Sequence, residues 1–182
     1  MVPYVAFLRG INLGGRNVTN DRLRALLEEA GFDHVRTFLS SGNVIFHSGE
    51  IDAAGLETRI ESRLAEGLGY PVATFVRDGE HLVEVARHEP FPDDPPLGGK
   101  LHIGFLREQL GRATQDQVAA LANKTDRVAF HGRELYWHVA GRFMDSALSG
   151  GAVARLLGDR WTLRTANTVR RIARKLAERP SG

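Results

Sequence analysis

The segment from Leu8 to Leu23 combines residue types that bind anions. It reads LRGINLGGRNVTNDRL and lies between a predicted strand and a predicted helix. Glycines let backbone N–H groups approach a ligand closely, a helix N-terminus adds partial positive charge, and arginine pairs with phosphate or carboxylate. Asparagine amides add selective hydrogen bonds. The residues that we expect to line one edge of a ligand pocket here are Arg9, Asn12, Gly14, Gly15 and Arg16.

The well-known phosphate-binding motifs do not account for this loop. No Gly-Lys-Ser/Thr follows it, as a P-loop requires, and Gly10, Gly14 and Gly15 do not have the spacing of a dinucleotide fingerprint. A tight turn, in which glycine only supplies conformational freedom, is therefore an open alternative to a ligand loop.

A second polar bend, Ser-Ser-Gly-Asn, follows about thirty residues later. Gly42 and Asn43 suit the backbone of a hairpin turn, which is the structural interpretation. The functional interpretation places Ser41 and Asn43 beside the glycine loop as further ligand-binding residues.

Other kinds of active site lack their signatures. The chain has no cysteine, which excludes disulfides, thiolate catalysis and thiolate zinc sites. Its seven histidines show no metal-binding spacing, and there is no Gly-x-Ser-x-Gly elbow. We therefore predict neither a metal nor a cofactor, name no catalytic residue, and leave open whether the protein is an enzyme.

The end of the chain is strongly basic. From Arg160 to Gly182 it has seven basic residues and one acidic residue, although the net charge of the whole chain is only +2. Such asymmetry is typical of a polyanion-binding surface or of the solvated face of a terminal helix. The candidate nucleic-acid contacts are Arg170, Arg171, Arg174 and Lys175.

The first half of the chain has the element order of a ferredoxin-like fold. A strand from Tyr4 to about Arg9 precedes a helix capped by Thr19 or Asn20. Two strands flank Ser-Ser-Gly-Asn, a helix runs from Asp52 to about Leu68, and Val-Ala-Thr-Phe-Val forms a fourth strand. In the usual antiparallel order 4-1-3-2, the glycine loop and the Ser-Ser-Gly-Asn bend lie at one edge of the sheet.

The second half repeats βαββα, without a clear last strand. A proline- and glycine-rich segment precedes it, and the last helix begins near 165–167. We predict an N-terminal ferredoxin-like subdomain over 1–88, a linker over 89–100, and a second α+β subdomain with a basic C-terminal helix over 101–182. The fold class is α+β, with two βαββαβ-type subdomains and extra C-terminal helices.

Composition is that of an ordinary globular protein. Hydrophobic residues make up 42% of the chain and charged residues 25%. No apolar stretch approaches the length of a membrane span, so a soluble cytoplasmic protein without membrane association is expected. The oligomeric state is left open.

The quoted segments also resemble a known bacterial family. Two segments are similar to the start of the family called domain of unknown function 1697. They are Tyr-Val-Ala-Phe-Leu-Arg-Gly-Ile-Asn-Leu-Gly-Gly and, later, Val-Arg-Thr-Phe-Leu-Ser-Ser-Gly-Asn-Val-Ile-Phe. The resemblance implies paired ferredoxin-like subdomains and no established activity.

A late family pattern, Thr-x-Arg-Asn-Trp-Asn-Thr, is partly present as Thr162, Arg164, Asn167 and Thr168, whereas Thr165 and Ala166 replace its Asn-Trp. Any activity that depends on those two family residues is therefore in doubt here. Arg164 and Asn167 are further ligand-binding candidates, which would close the pocket from the second half.

Three functions are consistent with the sequence. The first is binding of a small anionic molecule at the Gly/Asn/Arg-rich loop. The second is nucleic-acid binding through the basic last helix, and the third is a structural or oligomeric module without catalysis.

Overall fold

The computed structural model describes residues 1–39, 42–93 and 98–177. The strands are β1 Val2–Leu8, β2 Asp33–Thr37, β3 Asn43–Ser48, β4 Thr74–Asp78, β5 Lys100–Leu106, β6 Arg127–His131, β7 Glu134–Val139 and β8 Trp161–Thr165. The helices are α1 Asn20–Glu29, α2 Ala53–Leu68, α3 Gly79–Arg87, α4 Arg112–Ala119, α5 Ala152–Leu157 and α6 Ala166–Ala177, with a 3₁₀ turn at Phe143–Asp145.

The chain forms two compact units. The first contains Met1–Glu84 and the end of α6 from Ile172, and the second contains Val85–Arg171. The domain boundaries expected from the sequence, with a linker over 89–100, stay a prediction, and residues 94–97 of that linker lie outside the described residues.

Each unit contains one four-stranded antiparallel sheet. The strand order is β2-β3-β1-β4 in the first and β6-β7-β5-β8 in the second. The predicted order 4-1-3-2 and the α+β class with two ferredoxin-like subdomains are therefore confirmed. The expectation that the second half lacks a clear last strand is wrong, because β8 pairs with β5 from Leu106↔Trp161 to His102↔Thr165. Its Trp161 and Leu163 do alternate with Thr162 and Arg164, but five residues give only two periods of that pattern.

Alternation along the central strands builds a core on the helix side of each sheet. Tyr4, Ala6 and Leu8 of β1 belong to a buried cluster with residues of α1 and α2. In the second unit, Leu106 and Trp137 belong to a cluster that includes Val118 of α4 and Val153 of α5. Successive strand residues point to opposite faces, so this packing fixes the register of each sheet.

The two units share an element order beyond the ferredoxin-like plan, because a helix follows the last strand of each without an intervening loop. Asp78, the last residue of β4, caps α3 by accepting a hydrogen bond at Oδ1 from the N–H of His81 (2.8 Å). Thr165, the last residue of β8, caps α6 by accepting one at Oγ1 from the N–H of Thr168 (3.2 Å). The strand end therefore fixes where each helix N-terminus lies.

Candidate functional site

The glycine loop owes its shape to left-handed backbone positions. Gly10, Gly14 and Gly15 have φ values of 65°, 66° and 81°. A Cβ atom at Gly14 or Gly15 would meet nothing within 4 Å. Conformation rather than crowding therefore requires glycine at these two positions, and their backbone is exposed.

Polar side chains of the loop hold its backbone in place. Asn12 accepts a hydrogen bond at Oδ1 from the N–H of Val18 (2.9 Å). The guanidinium of Arg16 lies 3.9 Å from the centroid of the Tyr70 ring, and the Tyr70 hydroxyl donates to the carbonyl of Ile11 (3.2 Å). Both candidate residues thus have a conformational role in this loop.

The second bend lies against the first, as the predicted topology requires. The N–H of Leu8 donates to the carbonyl of Gly42 (2.8 Å). A Cβ atom at Gly42 would lie 3.1 Å from Ile11 Cγ2. Asn43 is fully buried, and its side-chain amide donates to the carbonyl of Phe38 (3.0 Å), closing the turn. Ser41 lies outside the described residues.

Arg9 is half-buried at the end of β1, where its backbone N–H donates to the carbonyl of Ala73 (2.8 Å). The candidates of the first unit that the structure describes are thus within one loop and one turn at a single sheet edge. Arg164 and Asn167 belong to the second unit.

Arg164 is anchored along its own strand. Its Nη1 donates to Thr162 Oγ1 (3.0 Å) and to the carbonyl of Leu163 (2.7 Å). Burial lowers the pKa of Arg164 to about 10, so the guanidinium is still cationic at neutral pH.

Asn167 lies in the first turn of α6 and lines a cavity of about 320 Å³ in the second unit. We call it the anion cavity, and its lining residues are Gly99, Lys100, Leu101, Thr165, Ala166, Asn167 and Arg170. Lys100 and Arg170 are both exposed there. Two cationic side chains and the N-terminus of a twelve-residue helix therefore converge on one cavity.

Glycine is required where the cavity meets β7. Gly99 has a φ of 70°, and a Cβ atom there would lie 2.7 Å from the ring of His138. The His138 ring is itself placed by the 2.7 Å contact between its Nε2 and the carbonyl of Gly98. This close approach brings Lys100, the first residue of β5, to the side of the cavity.

The corresponding place in the first unit has the opposite charge. Strand register matches Asp78, paired with Tyr4, to Thr165, paired with His102. Counting from this match, Glu80 corresponds to Asn167, and Val2 and Val83 correspond to Lys100 and Arg170. The first unit thus has acidic residues at the positions of the neutral Thr165 and Asn167, and valines at the positions of the two cations.

Of the residues that line this cavity, the sequence named Asn167 as a ligand-binding candidate, whereas Lys100 and Gly99 were assigned to the linker. Arg170 was considered only as a nucleic-acid contact. Gly99 and Arg170 are about seventy residues apart, and only the pairing of β5 with β8 brings them together. With β8 unrecognised, no signal in the sequence linked them.

The basic residues of α6 form an exposed set. Arg170, Arg171, Arg174 and Lys175 are all exposed, whereas Val169 and Ile172 of the same helix are buried. The helix is therefore amphipathic, with its cations away from its buried face.

The described residues contain neither a cluster of metal ligands nor a helix that could span a membrane. Among the described side chains, no three His, Cys, Asp or Glu residues gather closely enough to hold a metal ion. Within 1–39, 42–93 and 98–177, no helix combines the length and apolarity that crossing a bilayer requires.

Comparison with known proteins gives the fold and the family of this chain. A solved structure described as the conserved bacterial protein SP0830 from Streptococcus pneumoniae is 21% identical, covers 98% of this chain and 99% of its own, and superposes with a TM-score of 0.80. That likeness shows a shared fold. No curated protein matches the sequence. The family model for proteins of unknown function DUF1697 matches residues 1–136, and the chain therefore belongs to the DUF1697 family.

Proposed function

We propose that this protein binds a small anion, bearing a phosphate or carboxylate group, in the anion cavity beside the first turn of α6. The observation that carries this proposal is the convergence of Lys100, Arg170 and the α6 N-terminus on one cavity. The first unit supports it by contrast, because it has valines at the positions of Lys100 and Arg170 and acidic residues at those of Thr165 and Asn167, so the fold alone does not demand a basic site there.

The chemistry of the cavity suits an anion. The first N–H groups of a helix have no acceptor within the helix, and the helix dipole adds partial positive charge at that end. Because Thr165 already caps the N–H of Thr168, the earlier amides of Ala166 and Asn167 are the ones available to a ligand. Lys100 and Arg170 supply full charges, and the Asn167 side-chain amide supplies a directional hydrogen bond.

The glycine loop is a second place for the same function. Exposed amides at Gly14 and Gly15, with the guanidinium groups of Arg9 and Arg16 nearby in sequence, support it. It ranks behind the anion cavity because Asn12 and Asn43 are both engaged in holding backbone.

An NMR titration with inorganic phosphate at low ionic strength tests the proposal. We expect amide shifts concentrated at 99–101 and 165–170. Lys100→Gln and Arg170→Gln should each weaken binding by about three- to tenfold, since each removes one charge-assisted contact of roughly 1 kcal/mol.

Arg174→Gln is the matched control. It removes the same charge from an exposed position of the same helix, one that does not line the anion cavity. Shifts confined to the glycine loop, or equal weakening by all three variants, would refute the α6 site. Equal weakening would point to net charge alone.

The exposed cations of α6 favour nucleic-acid binding as a second candidate function. Arg171, Arg174 and Lys175 would contact phosphates, so affinity would fall steeply with salt. We expect retention of an oligonucleotide on the protein to be lost on combined replacement of these three residues by glutamine and kept in Lys100→Gln. Absent or salt-insensitive retention would exclude this function.

A further inference from the structure

A second cavity of about 320 Å³ adjoins the anion cavity, and Leu101 and Arg170 line both. Its other lining residues include Pro90, Phe91, Pro92 and His138. We call it the apolar cavity, because a phenylalanine, a leucine and two prolines make up half of the residues that line it. Small-molecule sites are commonly 300–1,000 Å³ and mostly apolar, with a few placed polar groups.

His138 is a polar residue of this wall. The residue is only 4% exposed, and its Nε2 contacts the carbonyl of Gly98. Its buried Nδ1 has no hydrogen-bond partner among the described residues. Because His138 lines the apolar cavity, a ligand bound there would lie beside its ring.

The charged lining residues differ between the two cavities, which indicates where each part of a ligand would bind. Glu89 also lines the apolar cavity and disfavours an anionic group there, whereas Lys100 lines only the anion cavity. Arg170, which lines both, has a guanidinium suited to pair with an anion and to stack on a flat ring.

We infer that the ligand is an anion that carries a flat apolar group, such as an aryl phosphate or aryl carboxylate. This inference rests on the proposed function. The anionic group lies against Lys100 and the first turn of α6, and the ring lies against Phe91 and Leu101, beside His138.

A ligand series with a constant headgroup tests this inference. Methyl, phenyl and naphthyl phosphate are titrated by NMR into the wild type, Phe91→Ala and Lys100→Gln. In the wild type, we expect naphthyl phosphate to bind about tenfold tighter than methyl phosphate, because the added ring leaves water for an apolar wall. Naphthyl phosphate should also shift the ring resonances of His138.

The variants should separate the two cavities. Phe91→Ala should remove most of the naphthyl preference and leave the Kd of methyl phosphate within about twofold, whereas Lys100→Gln should weaken every member of the series by a similar factor. Phe143→Ala is the matched control, because Phe143 is an exposed phenylalanine of the same unit that does not line either cavity.

Each outcome decides one question. If methyl phosphate binds at α6 but naphthyl phosphate binds no tighter, the apolar group is refuted and the proposed function stands. If the preference for naphthyl phosphate survives in Phe91→Ala, and that variant still unfolds cooperatively on heating, the ring lies elsewhere and the inference is wrong. The same conclusion follows if the ring resonances of His138 do not shift. If no member of the series shifts the α6 amides, the proposed function fails as well.

Discussion

The cap of α6 offers a sharp test of where an anion binds. Thr165 and Asp78 have the same role in their two units, each accepting a hydrogen bond from the third residue of the following α-helix. T165D therefore replaces one good N-cap with another that the fold already uses at the corresponding position. We expect the helix to stay capped while a negative charge enters the mouth of the anion cavity.

The magnitude follows from the cap geometry. Thr165 Oγ1 lies 3.2 Å from the N–H nitrogen of Thr168. An anion on the neighbouring first-turn amides would lie on the order of 5 Å from the T165D carboxylate, where two unit charges repel by roughly 1–3 kcal/mol at effective dielectric constants of about 80 to 20. We therefore expect phosphate to bind about 5- to 150-fold more weakly.

The assay is the phosphate titration by NMR, with thermal unfolding measured alongside it. The matched control is T19D, because Thr19 Oγ1 caps α1 by accepting from the N–H of Arg22 at the same distance of 3.2 Å. T19D places the same charge at the same helix position, next to the glycine loop. Weakened binding in T19D with unchanged binding in T165D would refute the α6 site and place the anion at the glycine loop.

Two further predictions concern stability. Gly42→Ala should lower the unfolding free energy by about 2 kcal/mol or more, and the melting temperature by about 4–8 °C. The reason is that a side chain at this position would have an unfavourable positive φ, and its Cβ would be crowded by Leu8 and Ile11. Gly14→Ala, strained by φ but uncrowded, should cost less in the same urea or thermal unfolding experiment, and equal losses would contradict the predicted contact. Burial lowers the pKa of His102, so the unfolded chain binds more protons, and the unfolding free energy should fall as pH drops below the ordinary value of about 6.5. Urea unfolding on both sides of that pH should show a smaller decrease in His102→Asn, and an unchanged decrease would exclude His102 as a cause.

The sequence predicted most of the fold because local signals agreed with one another. The Leu23, Leu26 and Leu27 face predicted α1, and turn chemistry at Gly42 predicted the hairpin of β2 and β3. The expected meeting of the glycine loop with this turn is confirmed by the hydrogen bond from Leu8 to Gly42. β8 was missed because its alternation of apolar and polar side chains extends over only five residues, and its identity depends on pairing with β5.

Ligand residues proved harder to predict than elements, since the same polar residue types also stabilise backbone. Asn43 illustrates the difficulty. In the sequence its amide could equally well bind a ligand, but in the structure the buried amide closes a turn. What separates the two uses is whether the local backbone already takes up the polar atom, and this depends on tertiary contacts that spacing does not reveal.

The comparison of the two units gives the strongest physical reason to look for function at α6. Both units place a capped helix N-terminus directly after the last strand, so the partial positive charge of that terminus is common to both. In the first unit Asp78 and Glu80 neutralise that charge, as expected for a helix that needs only stability. In the second unit Lys100 and Arg170 add to it instead, so positive charges lie close together without a local acidic partner among the lining residues of the anion cavity. Binding of an anion at this cavity would therefore be expected to stabilise the folded protein, because a ligand that binds only the folded state shifts the unfolding equilibrium toward it.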